Sequence, residues 1–184
     1  MDRADVTKLL RAVGQGDAEA DARLIDAVQN ELHQMADARM RAERSGHTLQ
    51  PTALVHEAYL RLHPAAAGLE SRAHFFGAAA HAMERVLIDH ARTKKAQKRG
   101  GDKTHVTLNE LEIASPYGGL DVFEVHEAVE ALERESPEMA MLVRYRYFVG
   151  LTLEQIVEIE GVSLATLKRR WTFAKAWLYD RLGR

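Results

Sequence analysis

Between residues 17 and 42 apolar side chains return every three or four positions, so that Leu24, Ile25, Val28, Leu32, Met35 and Ala36 share one stripe. That period predicts an amphipathic helix. The stretch "QPTALVHEAYLRL" (50–62) repeats it with Leu54, Val55, Ala58, Tyr59 and Leu62. Pro51 suits its first turn, and the helix is expected to end near His63-Pro64. Ser71 is placed to cap a third helix running through "FFGAAAHAMERVLIDHARTKKAQ". The pattern then fails: residues 98–121 mix glycine, polar residues and scattered apolars without a period, as a linker does. Helical spacing resumes at Val122, and Ser136-Pro137 reads as an N-cap followed by proline at the first helical position. The expectation is an all-α protein of two small helical domains, 1–97 and 122–184, joined by a flexible linker at 98–121. Domains of that size leave apolar surface open for a partner.

The most specific pattern is "LTLEQIVEIEGVSLATLKRRWTFAKAWLYDRL" (151–182). Thr152 with Gln155 three residues on forms a capping box for a short helix. Gly161 suits a sharp turn, and Ser163 can cap the helix that follows. Ile156, Ile159, Val162 and Leu167 are spaced to hold the two helices together. This predicts a helix-turn-helix whose second helix lies in a DNA major groove. That helix carries Lys168, Arg169, Arg170 and Lys175, suited to phosphates or guanine edges. Ser163, Ala165 and Thr166 join them near its N-terminal half. The competing reading is the basic, solvated face of an ordinary αα-hairpin. Val157 is bulky where such motifs commonly have alanine, and Glu160 is charged where they usually have an apolar residue.

Charge sharpens this picture. The formal net charge is only −2, but it is unevenly spread. Residues 122–160 hold nine acids against three Arg, whereas 163–184 hold six Lys or Arg against Asp180 alone. A second basic run, "RTKKAQKRGGDK" (92–103), lies mid-chain and could track a nucleic-acid backbone. With no cysteine in the chain, disulfides and thiolate metal sites are excluded. No apolar run nears 18 residues and no apolar signal segment opens the chain, so the expected location is cytoplasmic, without a membrane.

Enzymatic and metal chemistry find little footing. There is no P-loop, nucleophile elbow, dinucleotide fingerprint or kinase signature, and the chain reads as a non-enzyme without cofactors. His56 and His63, like His74 and His81, lie seven residues apart, whereas helical metal sites favour spacings of three or four with convergent carboxylates. No metal site is expected.

Three segments, in order, resemble the extracytoplasmic-function (ECF) sigma factors of the sigma-70 family. "ALVHEAYLRL" (53–62) is similar to the family's "DLVQETFLRLW", and "ERVLIDHARTKKAQKR" (84–99) to its "RNLAIDHLRRRRR". Residues 136–171 resemble its promoter-reading domain. The resemblance implies an N-terminal domain that docks on the β′ clamp helices of RNA polymerase and helps melt the −10 element. It implies a C-terminal domain that reads the −35 element, and core polymerase (β′ and β subunits) and promoter DNA as partners. Leu54, Val55, Glu57, Tyr59 and Arg61 would then belong to the polymerase-binding segment. Phe75, Phe76, Arg85, Arg92, Lys94 and Lys95 would serve the −10 element, the phenylalanines by stacking on unpaired bases unless they are core. Ala78 and Arg85 stand where many members have Trp and Asn. An anti-sigma factor is a further partner that the resemblance suggests. The alternative class is a helix-turn-helix regulator that binds duplex DNA without acting as a sigma subunit.

In many such factors a short acidic run of the type "DAED" precedes "LVQE" and faces basic residues on β′. Here Gln50, Pro51, Thr52 and Ala53 fill those slots. Phosphothreonine at Thr52 would add roughly −1.5 to −2 charges, about half to two-thirds of the three that are missing. A helix start favours an anion. The resemblance extends to a branch of the family that lacks the acidic run and is linked to serine/threonine kinases. Thr52 is therefore the expected regulatory phosphorylation site and a kinase the expected partner.

Overall fold

The computed structural model describes residues 3–41, 49–100 and 122–182. It is all-α, with no strand among those residues. Helices α1 (Arg3–Gly14), α2 (Ala18–Arg41), α3 (Pro51–Leu62) and α4 (Arg72–Gly100) form the N-terminal half, with a 3-10 segment, His63–Gly68, between α3 and α4. Helices α5 (Val122–Glu135), α6 (Pro137–Val143), α7 (Leu153–Glu160) and α8 (Leu164–Arg181) form the C-terminal half. A single wider π turn, Arg144–Phe148, continues α6, with Val149 N–H donating to the Arg144 carbonyl at 3.1 Å.

Local chemistry explains most boundaries. Asp17 caps α2 through Oδ1, which accepts from the Glu19 and Ala20 N–H groups at 3.0 and 3.1 Å. Ser71 caps α4, its Oγ accepting from His74 N–H at 3.1 Å. Ser136 stands at the N-cap of α6 with Pro137 behind it, but its side chain makes no capping bond. Helix α4 runs on to Gly100, so the expected linker start at 98 falls inside a helix. The rest of that expected linker, 101–121, lies outside the described residues.

The predicted stripe of α2 is buried at Leu24, Val28, Leu32, Met35 and Ala36, and that of α3 at Leu54, Val55, Ala58 and Leu62. Against them pack Phe75, Phe76, Ala79, Ala80, Met83, Val86, Leu87 and Ile88 of α4. Phe75 and Phe76 meet edge to face, ring centroids 5.4 Å apart, a favoured aromatic geometry. The same apolar cluster continues into Val125, Val129, Leu132, Leu142, Tyr145 and Phe148 of the C-terminal half. α4 is the shared wall, touching α3 on one side and α5, the π turn and α7 on the other.

Candidate nucleic-acid and partner interfaces

The turn between α7 and α8 is built as its residues dictate. Thr152 Oγ1 accepts from Gln155 N–H at 3.2 Å, while Gln155 Oε1 accepts from Thr152 N–H at 2.8 Å, a complete capping box. Gly161 closes α7 at φ +73°, a left-handed conformation that side chains resist. Ser163 Oγ then accepts from Thr166 N–H at 3.1 Å and opens α8. Ile156, Ile159 and Leu167 are buried between the helices, and Val162 packs at their edge. Glu160, unusual in sequence, has a partner: Tyr145 Oη donates to its Oε1 at 2.9 Å. Burial, then that carboxylate, hold the Tyr145 phenol well above its ordinary range.

On α8 the side chains of Ala165, Lys168, Arg169 and Thr172 are exposed at helical spacing, forming one solvent-facing stripe. Arg170 falls off it, half-buried, with Nη2 3.6 Å from Glu138 Oε1. Thr166 is half-buried and its hydroxyl lies 2.9 Å from Ser163 Oγ, while Lys175 is also half-buried. Trp171, on the inward side, has the Arg146 guanidinium 5.5 Å above its ring. Thr172 had no sequence signal beyond its spacing from Lys168 and Arg169. The same is true of Phe173, which is 61% exposed.

The predicted partner-binding helix, α3, divides differently from expectation. Leu54 and Val55 are buried in the core and offer no surface for docking. Tyr59 Oη donates to Asp21 Oδ1 at 3.2 Å, and its phenol is pushed up to about 12, first by burial and then by that carboxylate. Glu57 Oε1 is 3.5 Å from His90 Nε2, and Arg61 Nη1 is 2.9 Å from Asp89 Oδ2. These three tie α3 to its neighbours while staying at the surface. The open face of α3 is instead Thr52, His56 and Leu60, while His63, just past its end, has Nε2 3.1 Å from Asp21 Oδ2. Leu60 is 58% exposed, an apolar residue off the buried stripe, and that mismatch was its signal in the sequence. Thr52 occupies the second helical position, after Gln50 and Pro51, with no side-chain cap and no acid in the first turn.

Phe75 and Phe76 are fully buried, which is the core alternative left open in the sequence, and neither ring is exposed for a base to stack on. Their rings fill the wall between α4 and the rest of the core, and the Arg72 guanidinium sits 4.7 Å over the Phe76 ring. Arg92 is exposed, with Nη1 3.6 Å from Asp89 Oδ1. The side chains of Lys94 and Lys95 lie outside the described residues. Arg85 Nη2 approaches Glu130 Oε1 of α5 at 3.7 Å.

Below Arg85 lies the group that sequence reasoning missed. Glu84 and Arg144 are both fully buried. Arg144 Nε donates to Glu84 Oε2 at 2.7 Å, and His126 Nδ1 lies 2.8 Å from Glu84 Oε1. The remaining Arg144 nitrogens donate to both carboxylate oxygens of Glu133, at 3.0 and 2.8 Å. This fork holds the Glu133 carboxyl below its ordinary range. Nearby His81, half-buried on α4, is held below the usual imidazole value, first by burial and then by Arg144. Among the described residues no three His, Asp or Glu side chains converge as a metal site requires, and no helix is long and apolar enough to cross a membrane.

The sequence model of the ECF sigma factor family matches residues 3–184, nearly the whole chain. The chain belongs to the ECF sigma factor family. No curated protein sequence matches it. ECF sigma factors are non-catalytic transcription initiation factors, and membership makes the RNA polymerase core and promoter DNA the partners of this chain.

Proposed function

We propose that this ECF sigma factor reads its promoter with two separate surfaces and is activated by phosphorylation at Thr52. The N-terminal half, 1–97 with the continuation of α4, docks on the β′ clamp and serves the −10 element. Residues 122–184 form the helix-turn-helix that reads the −35 element, and the segment from 98 to 121 links them. The observation that carries this is the α8 stripe of Ala165, Lys168, Arg169 and Thr172, exposed on a helix that a capped turn fixes in place. A groove-reading helix needs this combination of basic and small residues on one open face. Its setting is the cytoplasm, where polymerase and promoter meet.

Support for the phosphorylation comes from the start of α3. Thr52 is exposed, its helix carries no acid in the first turn, and the Gln50 side chain caps nothing. A phosphate there would meet free N–H groups and the positive end of the helix dipole, and would face arginines on β′ that can bind it bidentately. The residues flanking it on the open face, His56 and Leu60, would complete the docking surface. A serine/threonine kinase is the partner this requires, and an anti-sigma factor would compete for the same face. Run-off transcription tests the assignment: core polymerase with the phosphorylated chain initiates from a cognate promoter, while core polymerase alone does not. Binding to duplex promoter DNA without polymerase, with no polymerase-dependent transcript, would instead identify a helix-turn-helix regulator.

A further inference from the structure

Helix α8 turns its core side inward at Leu167, Trp171 and Ala174, all buried. At about 100° per residue, Phe173 stands roughly 200° round from Trp171 and so faces out, 61% exposed. The helix cannot roll to hide it. Ser163 caps one end, and near the other Trp177 Nε1 donates to Glu135 Oε2 of α5 at 3.0 Å. A single exposed ring is ordinary on a protein surface. What sets this one apart is its place. Phe173 lies one turn beyond the exposed Arg169, and Thr172 one turn beyond the exposed Lys168, so two cations are followed by two residues with apolar outer ends. Thr172 Oγ1 donates to the Lys168 carbonyl at 3.0 Å, which uses its hydroxyl proton within the helix and leaves its methyl group for a contact outside.

We infer that Phe173, with Thr172 beside it, reads thymine in the −35 element through the C5-methyl group that this base presents in the major groove. The inference rests on the proposed reading of the −35 element by α8, and it adds which base chemistry the far half of the exposed stripe selects.

The major groove offers an apolar side chain one partner of its own kind. Guanine, cytosine and adenine present donors and acceptors there, and only thymine adds a methyl group. A phenylalanine ring has no hydrogen bond to give to a phosphate, so beside these cations it adds to affinity only where it covers apolar surface. Lys168 and Arg169 supply the phosphate or guanine contacts that bring the helix to the groove. Four residues of helix rise about 6 Å, close to two base-pair steps of about 3.4 Å. The thymine is therefore expected within about two base pairs of the position that depends on Arg169. A protein surface is the less favoured occupant. At helical spacing Phe173 neighbours Arg169, Arg170, Ala176 and the half-buried Trp177. The other large exposed ring of α8, Tyr179, is turned about 120° away, so the two do not form one apolar patch.

The test uses holoenzyme assembled from core polymerase and the full chain, both phosphorylated at Thr52 and unmodified. It is run on barcoded promoter templates randomised across the −35 element, with the wild-type chain, Phe173→Ala and Phe173→Leu, each checked for helix content by circular dichroism. The wild type is expected to prefer thymine, on either strand, at a position that Phe173→Ala relaxes and Phe173→Leu retains, with preferences elsewhere unchanged. Deoxyuridine in place of that thymine then removes the methyl group alone. Wild-type holoenzyme should bind that duplex about fourfold less well, the worth of one buried methyl, and Phe173→Ala holoenzyme should bind both duplexes equally. Because the deoxyuridine comparison can be made with the wild-type chain, it stands whether or not a variant folds. Deoxyuridine bound as tightly as thymine by the wild type, or a thymine preference that survives Phe173→Ala, would overturn the inference. So would a folded Phe173→Ala that lowers transcription from every sequence alike, which would place the ring against polymerase. No polymerase-dependent transcript from any template, in either phosphorylation state, would bring down the sigma reading itself, and the thymine contact with it.

Discussion

Arg144 Nε lies 2.7 Å from Glu84 Oε2, and both side chains are wholly removed from solvent although 60 residues separate them in the chain. Neither charge could be buried alone, so the N-terminal and C-terminal halves specify one another at this point. His126 and Glu133 add further partners to the pair, His126 to Glu84 and Glu133 to both terminal nitrogens of Arg144.

Removing one side of this pair strands the other. Arg144→Ala leaves Glu84 buried without its guanidinium and is expected to destabilise the docked form by about 3–5 kcal/mol. Urea denaturation checks it, with loss of a single cooperative transition as the accompanying sign that the halves have uncoupled. Replacing both residues together, Glu84→Met with Arg144→Met, should cost far less than the sum of the singles.

Acid should loosen the same region. The folded-state pKa of His81 lies below its ordinary value of 6.5, so the unfolded chain takes up the proton first. Its contribution to stability is full above pH 6.5 and is lost as pH falls from there through the lowered folded value. Glu133, also lowered from an ordinary 4.5, acts in the same direction at more acid pH, present above 4.5 and lost as pH falls through its folded value. Thermal midpoints between pH 7.5 and 5.5 should therefore decline, and His81→Asn should flatten that decline.

The caps around the α7–α8 turn can be weighed singly. Thr152→Ala removes one half of the capping box and should cost about 1 kcal/mol, with Thr152→Ser nearly neutral. Gly161→Ala places a side chain at φ +73° and should cost about 1 kcal/mol or more. Chemical denaturation of each variant reads both.

On α8, Lys168→Ala and Arg169→Ala should leave stability unchanged and weaken promoter binding by the holoenzyme. If Lys168 contacts a phosphate, its loss reduces the salt slope by about 1 uniformly across sequences; if Arg169 reads a guanine, its loss costs about 1–3 kcal/mol at one base pair. Arg170→Ala should do less to binding, because Glu138 already holds that guanidinium. Salt titrations on matched and single-mismatch −35 sequences separate the three.

Much of this was legible in sequence where the determinants are local. The Thr152–Gln155 box, the Gly161 turn and the Ser71 and Ser163 caps involve residues within four positions of each other, and each appears as read. Periodicity also placed the buried stripes of α2 and α3. What depended on distant packing was harder to see. Leu54 and Val55 looked like docking residues because a family segment contains them, yet the same apolar character puts them in the core. Phe75 and Phe76 are open in sequence between base stacking and the core, and both lie in the core. Glu84 and Arg144 carry no local mark at all, since a charged residue on a helix is ordinarily solvated; only the docking of two halves makes them a pair. Glu160 looked out of place until Tyr145 supplied its partner.

In the proposed mechanism, charge added at Thr52 turns this sigma factor on. Binding to core polymerase should be compared at one fixed salt concentration for the chain phosphorylated at Thr52, the unmodified chain and Thr52→Ala. Tight binding by the phosphorylated form, with the other two weaker by an order of magnitude or more, is the predicted result; about 1.4 kcal/mol corresponds to each factor of ten. Equally tight binding by all three would contradict it.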